Sequence, residues 1–462
     1  MMDMTTHRTT MKILIATIGL MGLALTPAMA QGATLSETGK AGTGNAGTGK
    51  AGTGTAETDK FETGKPEASL KVLTSEPLQL GERLELHSAI LGETVTMNVA
   101  LPEDFAVSSS SRTYPVIFSN GAHGEKFFAV LAGLVKHLGE RERMPESIVV
   151  SLNDMGPIPE IHSNGMWSRE KLGPWGDPDA GLRHLAEEVF PLLERRYRAN
   201  DYRILIGVSG STLFPIHTFL AAPGLFRSHV LVAAADTIGM GYRAEETFID
   251  AFESAFTADP DRRALLYLGT AESDLTKRDD YRANLAELEK RLGRFGGLDV
   301  QVDIFERTDH YTVFIESVLA AFDQNFPFEE WTARYRDIVA QPGDALENID
   351  RYYERLSERY GFTILPRADR WNNVNSLRFM TRHLIGEGRA AEALAVARRR
   401  LEFQPTVAGT HTGLADALEA NGLLADAVKA QAEALRLARE ADLPLEHLEK
   451  RLSELKARQD DE

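Results

Sequence analysis

Polar and apolar residues alternate along Arg83-Leu84-Glu85-Leu86-His87-Ser88 and Thr94-Val95-Thr96-Met97-Asn98-Val99-Ala100-Leu101, the period-two pattern of half-buried antiparallel strands. They predict an opening hairpin. Short runs that are apolar on both faces follow at 115–118, 147–151, 203–206, 229–233 and 264–268, and a further strand is expected at 300–306. Between them lie helical periods, such as 181–197 with Leu182, Leu185, Val189, Leu192 and Leu193 on one face. Strands buried on both faces and separated by crossover helices predict a three-layer α/β domain around a mostly parallel sheet. Ligands of such sheets bind at the carboxyl ends of the strands, so functional residues are expected just after the apolar runs.

From about residue 344 the pattern changes to charged, alanine-rich helices. Gly388-Arg389-Ala390-Ala391-Glu392-Ala393 recurs 34 residues later as Gly422-Leu423-Leu424-Ala425-Asp426-Ala427, and Leu384, Leu401 and Phe403 recur as Leu418, Leu435 and Leu437. That period, with glycine at the turn and alanine at the packing positions, resembles the tetratricopeptide repeat. Two copies cannot bury their own faces, so the module is expected to pack on the α/β domain or on a second subunit. The resemblance implies a protein partner or self-association; a structural cap is the alternative.

Ahead of the strands, Arg8 precedes an apolar run at 11–25 that closes on Thr26-Pro27-Ala28-Met29-Ala30, the order of a cleavable export leader. The run is shorter than the roughly 20 residues that span a bilayer. Cleavage after Ala30, a periplasmic or secreted location and no membrane span in the mature chain are therefore expected. Residues 31–67, with Ala-Gly-Thr-Gly repeats such as Lys40-Ala41-Gly42-Thr43-Gly44, have almost nothing large and apolar to bury and read as a flexible tether. The expected organisation is leader 1–30, tether 31–67, α/β domain 68–335 and helical region 336–462. A net charge of -17 without a basic cluster speaks against nucleic acid as a partner.

The chain has no cysteine, which excludes thiolate catalysis and disulfides and turns attention to an oxygen nucleophile. After the run ending at Ile206 comes Gly207-Val208-Ser209-Gly210-Ser211, then a helical stretch halted by Pro223-Gly224. A serine between small residues at a strand-to-helix turn fits a nucleophile elbow. The usual second glycine is Ser211 here. An acid and then a histidine are required downstream. Glu272 and Asp274 follow the run at 264–268, and His310 follows the strand at 300–306. Ser209 is the expected nucleophile, His310 its base, and Glu272 the first choice for the orienting acid with Asp274 the second.

Oxyanion donors are expected at the backbone N–H groups of Gly210 and of Gly121, in the loop Ser119-Asn120-Gly121-Ala122-His123-Gly124. His123 is an alternative catalytic histidine, although its early position suits a rim or substrate-binding role. The stretch 153–178, with Trp167 and Trp175, has the length of a lid or substrate wall. No His-Glu-x-x-His motif or carboxylate ladder occurs, so neither a metal nor a cofactor is expected.

The stretch from Leu86 to about Phe322 resembles the esterase D family of α/β-hydrolases, which includes enterochelin esterases, feruloyl esterases and mycolyltransferases. The resemblance lies in His87-Ser88-Ala89-Ile90-Leu91-Gly92-Glu93, Val99-Ala100-Leu101-Pro102-Glu103-Asp104-Phe105, Tyr114-Pro115-Val116-Ile117-Phe118 and the helix 185–194 before Tyr197-Arg198. It implies an α/β-hydrolase fold, with Ser209 on the family nucleophile, Glu272 on its acid and Asp309-His310 on its histidine turn. The departures are Val208 where a histidine is common, Ser211-Thr212 where glycines are common, and Ser119-Asn120-Gly121 for Leu-Asp-Gly. The expectation is a serine esterase that passes through an acyl-enzyme on a small-molecule or siderophore-like ester. A catalytically weak scaffold acting with the helical module is the competing reading.

Overall fold

The computed structural model describes residues 73–153, 161–162, 171–172, 177–331, 334–369 and 375–460. The expected leader and tether, and the loop bearing Trp167 and Trp175, lie outside them. From Glu76 onward the chain is one compact unit.

The hairpin is β1 (Glu82–Ser88) and β2 (Glu93–Ala100), turned by Gly92 at φ 73°. Then come β3 (Tyr114–Asn120), α1 (Gly121–Glu140), β4 (Ile148–Leu152) and a two-residue pair, β5 (Ile161–His162) with β6 (Lys171–Leu172). Helices α2 (Pro178–Arg183) and α3 (Phe190–Tyr197) lead to β7 (Ala199–Val208), which runs through a 3-10 turn at Ser209–Thr212 into α4 (Leu213–Ala221). β8 (Ser228–Val232), α5 (Phe248–Ala258), β9 (Ala264–Ala271), α6 (Glu272–Leu275), α7 (Asp279–Leu292), β10 (Leu298–Phe305) and α8 (Val313–Asn325) complete the domain.

The eight long strands form one sheet in the order β1-β2-β4-β3-β7-β8-β9-β10. Only the two pairings made by β2 are antiparallel; β4, β3, β7, β8, β9 and β10 run parallel. Alternate strand residues feed opposite cores. Phe118, Val150, Leu205 and Leu268 pack on one face under α3 to α5 and α7, while Ile117, Val149, Ile204 and Tyr267 pack on the other. This is the predicted three-layer architecture, an α/β-hydrolase fold.

The helical period expected over 181–197 is interrupted. Residues His184–Val189 form a π segment, with Phe190 N–H reaching the carbonyl of Leu185. The proline at 191 has no N–H to continue the ladder, and the wider turn before it brings Phe190 into the core beside Leu185, Val189 and Leu193. The same segment aims Glu188 at the hairpin, where it accepts from the Ser88 hydroxyl at 2.6 Å and from Ala89 N–H at 2.8 Å.

The second face of the sheet is covered by α1 and α8 and then by α9 (Phe328–Trp331), α10 (Tyr335–Val339) and α11 (Ala345–Tyr360). The pairs α12 (Leu377–Gly386) with α13 (Ala390–Phe403) and α14 (Ala408–Ala420) with α15 (Leu424–Glu440) follow, before α16 (Glu446–Asp460). Gly388 and Gly422 occupy the turns inside the two pairs at the same φ of 74°, a left-handed conformation that favours glycine. Tyr335, Ile349, Tyr353, Leu377, Met380 and Leu384 share one core with Ile204 and Tyr267. The line drawn at 335/336 thus crosses a continuous apolar interior. Buried polar contacts tie it further: Arg112 pairs with Glu146 at 2.8 Å, Arg367 pairs with the same carboxylate, and Tyr353 donates to Glu142 at 2.6 Å. Among the described residues no helix is long and apolar enough to cross a membrane.

The Glu188 contact yields a pH prediction. Burial alone would raise its carboxyl, but hydrogen bonds from Ser88, His184, Ile90 and Ala89 outweigh it and bring the pKa from 4.5 to about 2. A carboxylate depressed in the folded state stabilises above its ordinary pKa, and that contribution is lost as pH falls from 4.5 toward 2. Glu188→Gln is expected to cost roughly 1–3 kcal/mol at pH 7, with the gap to the parent chain mostly closed at pH 3. Urea midpoints at the two pH values measure it; a gap of the same size at pH 3 contradicts the assignment.

Candidate active site

The candidate residues fall at the carboxyl ends of four parallel strands. Ser209 follows β7, Asp274 lies in α6 after β9, His310 follows β10 and Gly121 follows β3. Ser209 stands at φ 53°, where a side chain is strained by roughly 1–2 kcal/mol. The turn is possible because the chain beneath it comes very close. A Cβ on Gly207 would lie 2.8 Å from Thr212 Cα and from the carbonyl of Ser211, so that position must be glycine.

The departures from the usual elbow are explained by hydrogen bonds. Ser211, in place of glycine, donates its hydroxyl to Val208 O at 2.7 Å and accepts from Val208 N–H at 3.1 Å. Thr212 donates to Ser209 O at 2.6 Å. Asn120, buried at the end of β3, donates its amide to the carbonyl of Ser211 at 3.0 Å, which a carboxylate at that position could not do. Substitutions that looked like erosion in the sequence brace the strained serine and link it to the Gly121 loop.

His310 joins the serine to an acid. Its Nδ1 lies 2.8 Å from Asp274 Oδ2 and its Nε2 lies 2.9 Å from Ser209 Oγ. A carboxylate can only accept, so the proton sits on Nδ1 and leaves Nε2 free to accept from the serine hydroxyl. The turn that carries His310 is set by Asp309, whose carboxylate accepts from the N–H groups of Tyr311 at 3.0 Å and Thr312 at 2.9 Å.

The first choice of acid needs correction. Glu272 pairs with Arg282 on α7 and is 38% exposed, whereas the Asp274 side chain is 7% exposed and meets the histidine. The reason is geometric: α6 is one helical turn, and residues two apart point to nearly opposite sides. Burial would raise the Asp274 carboxyl, but hydrogen bonds from His310 and Lys277 prevail and hold it below the usual carboxylate range. Lys277 Nζ reaches Asp274 Oδ1 at 2.6 Å.

Gly121, at φ 72°, is the first residue of α1, and Gly210 is the second of the 3-10 turn. Backbone N–H groups at such positions have no partner within their own helix, the arrangement that a developing oxyanion needs. His123 stacks on Tyr311 with ring centroids 5.5 Å apart, and Tyr311 meets the edge of His310 at 4.8 Å. Burial, with Lys126 and His310 nearby, lowers its pKa. It forms a wall beside the site rather than part of the proton path.

Ser209, Asp274 and His310 open into a cleft of about 440 Å³, whose other lining residues include Asp236, Lys277, Arg278 and Tyr281. Sequence reasoning passed over Lys277 and Asp236. The rule that pointed to Ser209 applies equally to Asp236, which follows β8, but the spacing of Lys277 from Asp274 has meaning only once α6 is known to be a helix. Among the described residues no group of three or more His, Asp or Glu side chains is placed to hold a metal ion.

Comparison with known proteins bears on the fold. Residues 88–291 match the family model for esterases, a span that includes Ser209 and Asp274 and ends before His310. An IroE-like serine hydrolase from Shewanella oneidensis has a similar structure, with a TM-score of 0.50 at 18% identity, covering 68% of this chain and 95% of that one. An uncharacterised protein from Capnocytophaga ochracea gives 0.46 at 15% identity, covering 81% and 99%. The siderophore hydrolase EstB from Aspergillus nidulans gives 0.43 at 16%, covering 56% and 99%. No curated protein matches the sequence.

The geometry separates the two acids experimentally. Asp274→Asn is expected to lower kcat for a nitrophenyl ester by a thousandfold to ten-thousandfold, on the order seen when the orienting acid of a triad is lost. Glu272→Gln should stay within about twofold, because its contact is an exposed ion pair. The reverse ranking would restore Glu272.

Proposed function

We propose that the α/β domain, which matches the esterase family model over residues 88–291, acts as an esterase and that the chain hydrolyses a small-molecule carboxylic ester through an acyl-enzyme on Ser209. The observation that carries the proposal is the continuous path from Asp274 through His310 to Ser209, with contacts of 2.8 and 2.9 Å. In the first half-reaction Ser209 Oγ attacks the ester carbonyl while its proton passes to His310 Nε2. Asp274 holds the imidazole in the productive tautomer and stabilises its charged form. The negative charge on the carbonyl oxygen is met by the N–H groups of Gly210 and Gly121. When the tetrahedral centre collapses, the bond to the alcohol oxygen breaks and His310 returns the proton to that oxygen. Water then attacks the acyl group, His310 takes its proton, and Ser209 leaves with that proton as the carboxylate product departs.

The cleft bears on the substrate. Its volume of about 440 Å³ falls within the range of sites for small organic molecules, and its wall carries both acidic and basic side chains, Asp236, Lys277 and Arg278 among them. Siderophore-like esters, suggested by the sequence resemblance, are the first natural candidates. The expected leader at 1–30 supports action outside the cytoplasm, and the 34-residue period supports reading the last helices as a repeat module.

A fluorophosphonate probe tests the nucleophile, because it reacts only with an exposed, activated serine. Labelling is expected on Ser209 alone and should be abolished by Ser209→Ala, together with at least a thousandfold loss of ester turnover. Failure of the folded chain to label, or full turnover by the alanine variant, would favour a scaffold without catalysis.

A further inference from the structure

The C-terminal helices enclose a second cleft of about 500 Å³. None of its lining residues belongs to the catalytic cleft. Arg378 and Arg382 of α12, Arg400 of α13 and His447 of α16 contribute cationic or titratable side chains to it, and Leu443 and Leu448 form an apolar side.

Arg400 is the unusual member. It is 2% exposed, its Nη1 donates to the carbonyl of Gly409 at 3.0 Å, and its Nη2 lies 3.3 Å from Asp369. Its Nε is buried with no hydrogen-bond partner. Asp369 is shared, since Arg378 also contacts it at 3.3 Å, so two guanidinium groups face one carboxylate. Arg382 is exposed and has no ion pair among the described residues. Asp416, the acidic residue of the lining, is paired with Arg451 at 2.8 Å. The cleft therefore holds a surplus of positive charge in a chain whose net charge is -17.

Such a cluster is costly without a counter-charge, because a buried cation loses its hydration. Burial pushes the Arg400 guanidinium down to about 10. Space for it is built into α14: a Cβ on Gly413 would approach Arg400 Nη1 to 2.8 Å, and glycine inside a helix sacrifices up to about 1 kcal/mol relative to alanine. Arginine is suited to planar oxyanions because its donors form a rigid fork. Leu443, half exposed at 49%, offers apolar area beside that charge.

We propose that this cleft binds an organic anion, with a carboxylate or phosphate head against Arg378 and Arg382 over the charge of Arg400, and an apolar body along Leu443 and Leu448. The site is independent of the ester chemistry.

Isothermal titration of the full chain with hexanoate and with hexyl phosphate tests it, with inorganic phosphate and hexyltrimethylammonium as comparisons. Saturable binding of at least one hexyl anion is expected, weakened about tenfold or more by Arg382→Gln and by Arg378→Gln, in line with loss of a charged hydrogen bond. Nitrophenyl ester turnover should be unchanged in both variants. Binding of hexanoate alone identifies a carboxylate head, of hexyl phosphate alone a phosphate head, and of both a general oxyanion site. The proposal is overturned if neither hexyl anion binds, if hexyltrimethylammonium binds equally well, or if inorganic phosphate binds as tightly as hexyl phosphate. It is also overturned by binding indifferent to both substitutions, which would belong to the catalytic cleft.

Discussion

Ser209 is held at φ 53°, and much of the surrounding structure serves to keep it there. A non-glycine residue leaves that conformation unless neighbours fix it. Here the fixing is done by a glycine that admits the next turn of chain at Gly207, by the hydroxyls of Ser211 and Thr212, and by the Asn120 amide reaching across from β3. The result is an Oγ that projects from the sheet edge with its backbone already in place. Because Asn120 adjoins Gly121, the bond that braces the Ser209 turn also ties it to the start of α1.

A second close approach sets the other half of the site. At Gly269 a Cβ would collide with Ser317 of α8, so α8 lies directly on β9. His310 sits just before α8 and Asp274 just after β9. Packing of these two elements helps set the separation of His310 and Asp274. The helical region adds its apolar faces to the same side of the sheet as α8, which places the tail of the chain in the foundation of the site, although among the described residues it contributes none to the cleft. The oxygens of Asp274 are both used, one by His310 and one by Lys277, so the carboxylate cannot easily swing away from the histidine.

What the sequence made legible were features set by local rules. Alternating and doubly apolar runs identified the strands, and the requirement for serine, acid and histidine in that order located Ser209, His310 and a choice of two acids. The choice itself was not legible, because Glu272 and Asp274 are equally near the strand in sequence and are separated only by their rotation about a single helical turn. The π segment ahead of Phe190 was likewise not legible: Pro191 signals a disturbance, but not whether the helix breaks, kinks or widens. Ser211 and Asn120 looked like weakened motif positions because their partners are backbone groups, which a sequence does not display. The arginines of the second cleft were hidden among the charged residues of helices read only for their period.

On the proposed mechanism, the polar chain ending at Ser209 generates a covalent intermediate. Rapid mixing with a nitrophenyl ester, followed by acid quench and peptide mass measurement, tests it most directly. A burst of nitrophenolate close to one equivalent of enzyme, with the acyl mass on the peptide containing Ser209 and lost in Ser209→Ala, is the predicted result. Turnover under conditions where acylation outpaces deacylation, with neither burst nor acylated Ser209, would show that the ester is cleaved by another route and contradict the account.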